Sequence, residues 1–548
     1  MALSRPAAFR GAAHLVTWLP FIYGAASSVW NGWRPVSDTA GIALRSWNAI
    51  YLNGPQVGQA TRLARGVYDL GPLQYWLLTV PVHLDPAHGV LWGAALWCMV
   101  ACSLTIEAAW SVSGQFGGLV AAAAILGVIL WIPAITGLPC WNPWFGMMFF
   151  LASFAAAWAV IAGNRRWWPV LMVTASIAAQ AHLMFAVAAA ALVFVALVAG
   201  LAETFRARAS YRWALAGILA GLACWAVPLI QQFTARTGNL SALLDSQHKS
   251  GPTAGLSFGL KAVAAAVQPP PVWWSRLSSL PGLSVVDGRA AAVGVAVLGL
   301  TAVVLAVAIR PLRSRWAAAL AGLGLLASVT TVISYSSLPV SNISTTNTAF
   351  NSLNYVLAPM YPDGVLTWLA MGSVLVLAGR RVISRARARA AVPAGGGGGP
   401  AAEPAIPAAH WAVPTTGFAV VLVIVLISMA GIKFGQGSSS SDADSPYIHA
   451  VNAASQKIEQ KLPGQPIRLT VVAPDAHYRR RVTFGLAYVL TTAGYRPQVS
   501  WNYAWQLGPG YGPHSTKIPR VMVYQRGNGV AVYVRKAGEH TFKGQPRS

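Results

Sequence analysis

Carboxylates are scarce in this chain: fourteen Asp and Glu among 548 residues, against thirty-nine Lys and Arg. One of them, Asp38, stands in WNGWRPVSDTAGIALRSW, directly after the first long apolar run. A protonatable carboxylate fixed just outside a hydrophobic segment has the chemistry of a general base. A second acid, Asp69, follows in YDLGPLQYW, and His182 sits in IAAQAHLMF between two apolar runs. The same loops supply positive charge through Arg34, Arg45, Arg62, Arg65, Arg236 and Lys249. Arginine's planar fork grips a phosphate by two parallel bonds, which favours it over lysine, but nothing in the sequence chooses among these residues. Each candidate also has a structural reading. Asp38 would cap a helix beginning at Thr39, Asp69 would form the turn before Gly71-Pro72, and His182 would hydrogen-bond at a helix terminus.

The elements that must position these groups are membrane helices. Apolar residues make up 55% of the chain, charged residues 10%, and the mean hydropathy is +0.52, far from the roughly one-quarter charged residues of a soluble domain. The net charge of +25 does not imply nucleic acid, because much of the arginine lies in short loops between apolar runs, where it orients helices in a membrane. Cys98, Cys102, Cys140 and Cys224 lie in or beside apolar segments without ligand spacing and read as packing residues. Asp38 has no DxD partner, so no metal or other cofactor is expected.

With about 20 residues needed per span, eleven spans are expected, near 11–30, 89–111, 117–136, 144–163, 167–182, 183–201, 213–231, 290–309, 316–335, 364–380 and 414–434. The basic loops at 5–10, 165–166, 206–212, 310–315 and 380–389 all fall on one side of that count. The N-terminus is therefore expected in the cytoplasm and the tail outside. Segment 11–30 reads as an uncleaved helix rather than a signal peptide. The outer side receives loops 31–88, 232–289 and 336–363, and with the tail these hold most of the acids, Glu107 being the one acid within a span.

The expected organisation is an all-α polytopic membrane unit over 1–435 and a small extracytoplasmic α/β domain over 436–548. A Gly/Pro/Ala-rich cytoplasmic linker covers 380–412. In the tail, PIRLTVVAP and RPQVSW read as strands around a helix stopped by Gly494, and RVMVYQRGNGVAVYVRK as a hairpin turning at Asn528-Gly529. Trp501, Tyr503, Trp505 and Tyr511 are candidates for stacking on sugar rings, and PPPVWW at 269–274 reads as a stiff loop or interface anchor. GPLQYWLLTVP, apolar but too short to span, belongs at the membrane boundary, where a substrate with a greasy tail and a polar head would meet Asp38.

The order of these motifs carries a resemblance. An Asp-containing outer loop ending in YDLGPLQYW is followed by LPCWNPWFGMMFF, IAAQAHLMF and WAVPLIQQFTARTGNLSALL. This resembles the actinobacterial multispanning glycosyltransferases of the GT-C superfamily, which are akin to aminoarabinose transferases and protein O-mannosyltransferases. The resemblance covers residues 10–240 well, the later helices in topology only, and the tail hardly at all.

What it implies is transfer of a sugar from a polyprenyl-phosphate donor, on the outer face of the plasma membrane, to a cell-envelope glycan or exported acceptor. The family's outer-loop base falls on Asp38. The family's Tyr-His-Pro-Gly-Pro-Leu turn appears as Tyr68-Asp69-Leu70-Gly71-Pro72-Leu73, with Asp69 in place of His as a possible second acid. Asn142, His182 and Asn239 match further positions, and Arg34, Arg45, Tyr68 and Arg236 join them as candidate substrate-binding residues. Two other function classes remain open at this stage. A flippase for a lipid-linked precursor would carry ionisable groups at mid-membrane, and a non-catalytic scaffold would serve only to present the tail.

Overall fold

The computed structural model describes residues 5–51, 54–61, 65–132, 134–208, 210–249, 251–267, 288–339, 360–390, 440–462, 464, 466–513, 517–527 and 529–535. The chain begins with helix α1 (Arg5–Trp30), followed by α2 (Ser37–Trp47), α3 (Leu73–Leu84), α4 (Gly89–Ser113), α5 (Gln115–Trp131) and the single turn α6 (Ala134–Gly137). Next come α7 (Asn142–Ile161), α8 (Trp168–Ala181), α9 (Ala186–Arg206), α10 (Arg212–Thr234), α11 (Asn239–Lys249) and α12 (Gly255–Val267). Helices α13 (Gly288–Ile309), α14 (Arg315–Ser336) and α15 (Met360–Ala390) complete the apolar part.

Seven helices among the described residues are long and apolar enough to cross a membrane: Gly89–Ser113, Asn142–Ile161, Leu183–Arg206, Arg212–Thr234, Ala291–Ile309, Arg315–Ser336 and Pro362–Ala386. They answer to seven of the eleven expected spans. Of the other four, 11–30 forms α1, which is not among the seven, and 414–434 lies outside the described residues. The segments at 117–136 and 167–182 make helices of only 17 and 14 residues. Sequence punctuation explains both. The residue before a proline avoids the helical region, and α5 stops just short of Ile132-Pro133. Helix α8 stops where His182 turns extended, at φ −151° and ψ 124°. Conversely, α12 is an apolar helix of 13 residues in a loop where no membrane element was expected.

Helix α7 is apolar on every face and 94% of its best window is buried, which makes it the central element of the bundle. Small residues let its neighbours close in: a Cβ on Gly200 of α9 would come within 2.7 Å of the Trp168 ring and 2.9 Å of Val160. At the other extreme, α10 buries only 17% of its window and turns Leu215, Ile218, Leu222 and Phe233 outward.

Glu107 is not the only acid within these helices. It pairs with Arg10 and His14 of α1, tying α1 to α4. Glu203 in α9 pairs with Arg315 at 2.7 Å, and Asp363, expected in an outer loop, is buried in the first turn of α15, where it accepts a bond of 3.3 Å from Ser328. Cys98, Cys102 and Cys140 are buried and all four cysteines are free.

The last part of the chain carries α16 (Ser440–Lys461), β1 (Pro466–Val472), α17 (Ala476–Thr492), β2 (Arg496–Gln498), α18 (Trp501–Leu507), β3 (Arg520–Arg526) and β4 (Gly529–Arg535). The sheet order is β2-β1-β3-β4, with β1 parallel to both β2 and β3 and β4 antiparallel to β3. Asp475 caps α17 by accepting the N–H groups of His477 and Tyr478. The hairpin forms, but Arg526 stands opposite Gly529, so the strands are joined by Gly527 and Asn528 rather than by Asn528 and Gly529, with Asn528 outside the described residues. The second strand is shorter than expected, because Ser500 and Trp501 begin α18 rather than extending β2.

Helix α17 packs on α2, more than four hundred residues earlier in the chain. The seat is made by a small residue: the Phe484 ring lies 3.6 Å from where a Cβ on Gly41 would stand.

Candidate functional site

Helix α2 begins two residues earlier than a cap at Asp38 would allow, with Val36 as its N-cap. Ser37 adopts a positive φ of 53°, and the cap is closed by Thr39, whose hydroxyl accepts from the Val36 N–H at 3.1 Å and donates to the Val36 carbonyl at 2.7 Å. Asp38 is therefore not the N-cap. Its carboxylate sits in the first turn, where the aligned N–H dipoles favour negative charge. The side chain remains 27% exposed, and Oδ1 accepts a 2.6 Å bond from Nη2 of Arg480 on α17.

Arg480 opens a string of polar contacts. Its Nε donates to Oε1 of Gln506 at 3.2 Å, and the Gln506 backbone carbonyl accepts from Nη2 of Arg45 at 3.1 Å. Arg45, on the last turn of α2, is buried. Its Nη1 donates to the carbonyls of Val57 and Gly58 at 3.3 and 3.0 Å, and its guanidinium lies over the rings of Tyr68 and Tyr75 at 5.5 and 5.6 Å. Burial chiefly pushes the Tyr75 phenol up; Arg45 opposes this, and Asp69 and Asp38 add to it. Both acids thus act on one tyrosine.

Asp69 anchors the other end of the string. A narrow hairpin in the loop pairs Ala60 with Tyr68, with Gly58 N–H donating to Asp69 O at 2.9 Å and Asp69 N–H to Gln59 O at 2.7 Å. Only glycine fits at position 58, because a Cβ there would lie 2.6 Å from the Asp69 Cβ. The Asp69 carboxyl is buried: Oδ1 accepts from the Leu183 N–H at 2.9 Å and Oδ2 from Nδ2 of Asn142 at 3.1 Å. Asn142 donates in turn to the Ala181 carbonyl at 3.1 Å. Asn239, at the start of α11, pairs with the backbone of Tyr68 in both directions at 3.0 Å and reaches the Asp69 carbonyl at 3.3 Å. Five of the residues singled out from the sequence, Tyr68, Asp69, Asn142, His182 and Asn239, therefore meet where the loop crosses the ends of α7, α8 and α11. His182 Nδ1 accepts from the Met184 N–H at 3.3 Å, and burial lowers its pKa to about 4.

Burial raises the Asp69 carboxyl to about 7, against the opposing pull of the two hydrogen bonds and of Arg45. The unfolded value is near 3.8. Between the two values the folded chain keeps a proton that the unfolded chain releases. This group's contribution to stability is therefore complete below about pH 4 and is lost as pH rises through about 7. His182, lowered by burial, works in the opposite sense, so the comparison that isolates Asp69 is between variants. We expect the thermal midpoint of Asp69→Asn, measured in detergent from pH 4.5 to 8, to fall less with pH than that of the parent. Parallel curves would refute this account.

The other candidates are spread apart. Arg34 contacts His88 at 2.8 Å, in a separate cluster where Asp85 accepts the N–H groups of Ala87 and His88 in the turn before α4. Arg236 is exposed beyond α10, and Arg65 donates to the Trp501 carbonyl at 3.2 Å. Arg62, the side chain of Lys249 and the PPPVWW segment lie outside the described residues. Among the four tail aromatics, Trp501 is 54% exposed. Trp505 packs edge-on to Tyr68, Tyr503 edge-on to Phe484, and the Tyr511 hydroxyl accepts from Asn48 at 2.8 Å. No group of three or more His, Cys, Asp or Glu side chains suited to a metal occurs among the described residues.

Two functional candidates were missed in the sequence, Arg480 and Gln506. The run YRRRVTF held a signal for the first: Arg480 lies four residues before Phe484, one helical turn, and its guanidinium stands 5.2 Å from that ring. Nothing in the local sequence marked Gln506.

No family model matches the chain and no curated protein matches it. Among solved structures it is similar to the crystal structure of ArnT from Cupriavidus metallidurans bound to undecaprenyl phosphate, with 14% identity and a TM-score of 0.46 over 94% of this chain and 92% of that one. It is similar also to ArnT from the same organism in the apo state, with 14% identity and a TM-score of 0.44 over the same shares.

Proposed function

We propose that this chain is a multi-pass plasma-membrane glycosyltransferase of the GT-C type, moving a sugar from a polyprenyl phosphate to a cell-envelope glycan or exported acceptor on the outer face. In this reading the N-terminus is cytoplasmic, residues 1–435 form the membrane unit, and residues 436–548 form an extracytoplasmic domain that closes over the first outer loop. The observation that carries the reading is Asp38, a reachable carboxylate oriented by a guanidinium at 2.6 Å. It stands beside α3, which leaves Trp76, Val80 and Leu84 exposed to meet lipid tails.

In the reaction, Asp38 takes the proton of the acceptor hydroxyl as its oxygen attacks the anomeric carbon. The bond from that carbon to the phosphate oxygen breaks, and the lipid phosphate departs with the electron pair. Arg480, beside Asp38, is the residue proposed to receive the charge of that phosphate. Asp69, with both oxygens held by scaffold donors, positions the loop rather than touching substrate. Undecaprenyl phosphate, the lipid bound to ArnT, is a carrier of the class proposed.

The test is the full chain in proteoliposomes with a radiolabelled polyprenyl-phosphate sugar and envelope acceptor. A new glycosidic bond, with release of free polyprenyl phosphate, is expected; absence of any bond formation overturns the proposal. A second reading, transport of the lipid-linked precursor, is favoured by one observation: Asp363 is buried within a membrane helix beside the hydroxyls of Ser328 and Thr367, the kind of group that marks ion pathways. Movement of labelled lipid between leaflets without bond formation would select it.

A further inference from the structure

Helix α9 starts beside the Asp69 cluster and ends at Arg206. Its 21 residues separate the two ends by about 31 Å at 1.5 Å per residue, the thickness of a hydrocarbon core. At the Arg206 end a cavity of about 770 Å³ opens between α9, α13 and α14, within the range of roughly 300–1,000 Å³ found for ligand sites. Its walls are aliphatic, from Val195 and Ala199 on one side to Leu305 and Leu326 on the other, while Glu203, Arg206 and Arg315 stand at its rim.

The charge at that rim does not cancel. Glu203 is taken by Arg315, whose Nη1 lies 2.7 Å from Oε1 and whose Nε donates to the Ile161 carbonyl at 3.2 Å. Arg206 and Arg165 carry their charges close enough to act on the same carboxylate. Three guanidinium groups thus face one carboxylate, and the buried Nε of Arg165 has no hydrogen-bond acceptor among the described residues.

An aliphatic cavity with a surplus of cationic fork donors at one end of a membrane bundle fits one class of molecule. Its tail must be hydrocarbon and its head an anion with several acceptor oxygens, and basic pockets between membrane helices bind anionic headgroups on this principle. We propose that this cavity holds an anionic phospholipid of the surrounding bilayer, acyl chain along α9 and α14 and phosphate on Arg206 and Arg165. It is not a donor site, because a phosphate bound here stands a membrane thickness from Asp38. The inference is therefore independent of the proposed reaction.

The test uses the full chain purified in mild detergent, with phosphatidylglycerol and phosphatidylcholine titrated separately and binding read by native mass spectrometry. Phosphatidylglycerol is expected to bind at least about tenfold more tightly and to raise the thermal midpoint with the logarithm of its concentration above the Kd. Arg206→Ala and Arg165→Ala should each weaken it by about fivefold without changing phosphatidylcholine binding. Gly322→Leu, which fills the cavity from α14 where a Cβ meets nothing nearer than 3.7 Å, should abolish the preference without altering any charge. Equal binding of the two lipids would overturn the proposal. So would a phosphatidylglycerol preference that survives all three variants in folded protein, or occupancy by undecaprenyl phosphate in place of phospholipid.

Discussion

In the proposed reaction, Asp38→Asn should lower the rate of sugar transfer by about 10²–10⁴-fold, the loss typical of removing a general base, while the protein remains folded. The substitution keeps the shape of the side chain and one oxygen to accept from Arg480, so the contact with α17 survives in weakened form. The pair is about a third exposed on both sides, and ion pairs in that setting contribute at most about 1 kcal/mol. The expected signature is therefore a fall in kcat with little change in KM for the lipid donor or in thermal midpoint. Asp38→Glu, which keeps the acid but moves it by one methylene, should recover part of the rate. Transfer by Asp38→Asn at the parental rate would remove this residue from the mechanism.

The second large effect is on stability. Arg45→Ala should destabilise the protein by about 3–4 kcal/mol, because three backbone carbonyls, of Val57, Gly58 and Gln506, lose a charged donor in a buried setting, and two tyrosine rings lose the cation above them. One of those carbonyls belongs to α18, so release of that helix should precede global unfolding. Limited proteolysis should cleave within 499–513 in the variant under conditions where the parent resists. Arg45→Lys should rescue poorly, since an ammonium cannot span carbonyls on two separate segments. A variant with the parental midpoint and no new cleavage would show that Arg45 is dispensable to the loop.

Much of the scaffold was legible because it rests on local patterns. The spans Gly89–Ser113, Asn142–Ile161 and Arg212–Thr234 are long apolar runs bounded by Gly, Asn or Arg, and hydropathy marks them without knowledge of their neighbours. Asp69, Asn142, His182 and Asn239 each fall at a helix end or loop on one side of the expected topology, but the hydrogen bonds that join them were not legible in the sequence. The lengths of α5 and α8 were misjudged because an apolar window ignores the proline and the histidine that end them. Arg480 was not legible for a different reason. Its partner lies 442 residues away, and only the packing of Phe484 on Gly41 decides which of three adjacent arginines turns toward Asp38. Asp363 was placed in a loop because an acid was taken to end a span, whereas Ser328 from the facing helix supplies the hydrogen bond that lets it begin one.

The seat of Phe484 on Gly41 has a bearing on biogenesis. Helix α2 is synthesised near the start of translation, yet the surface that covers it comes from the last quarter of the chain. Until that part emerges, Gly41 and Val36 lack their contacts with Phe484 and Gly485, and α2 has only the earlier elements of the chain to pack on. A chain cut short before residue 476 lacks that cover, so its first loop should be cleaved sooner in limited proteolysis than the same loop in the full chain.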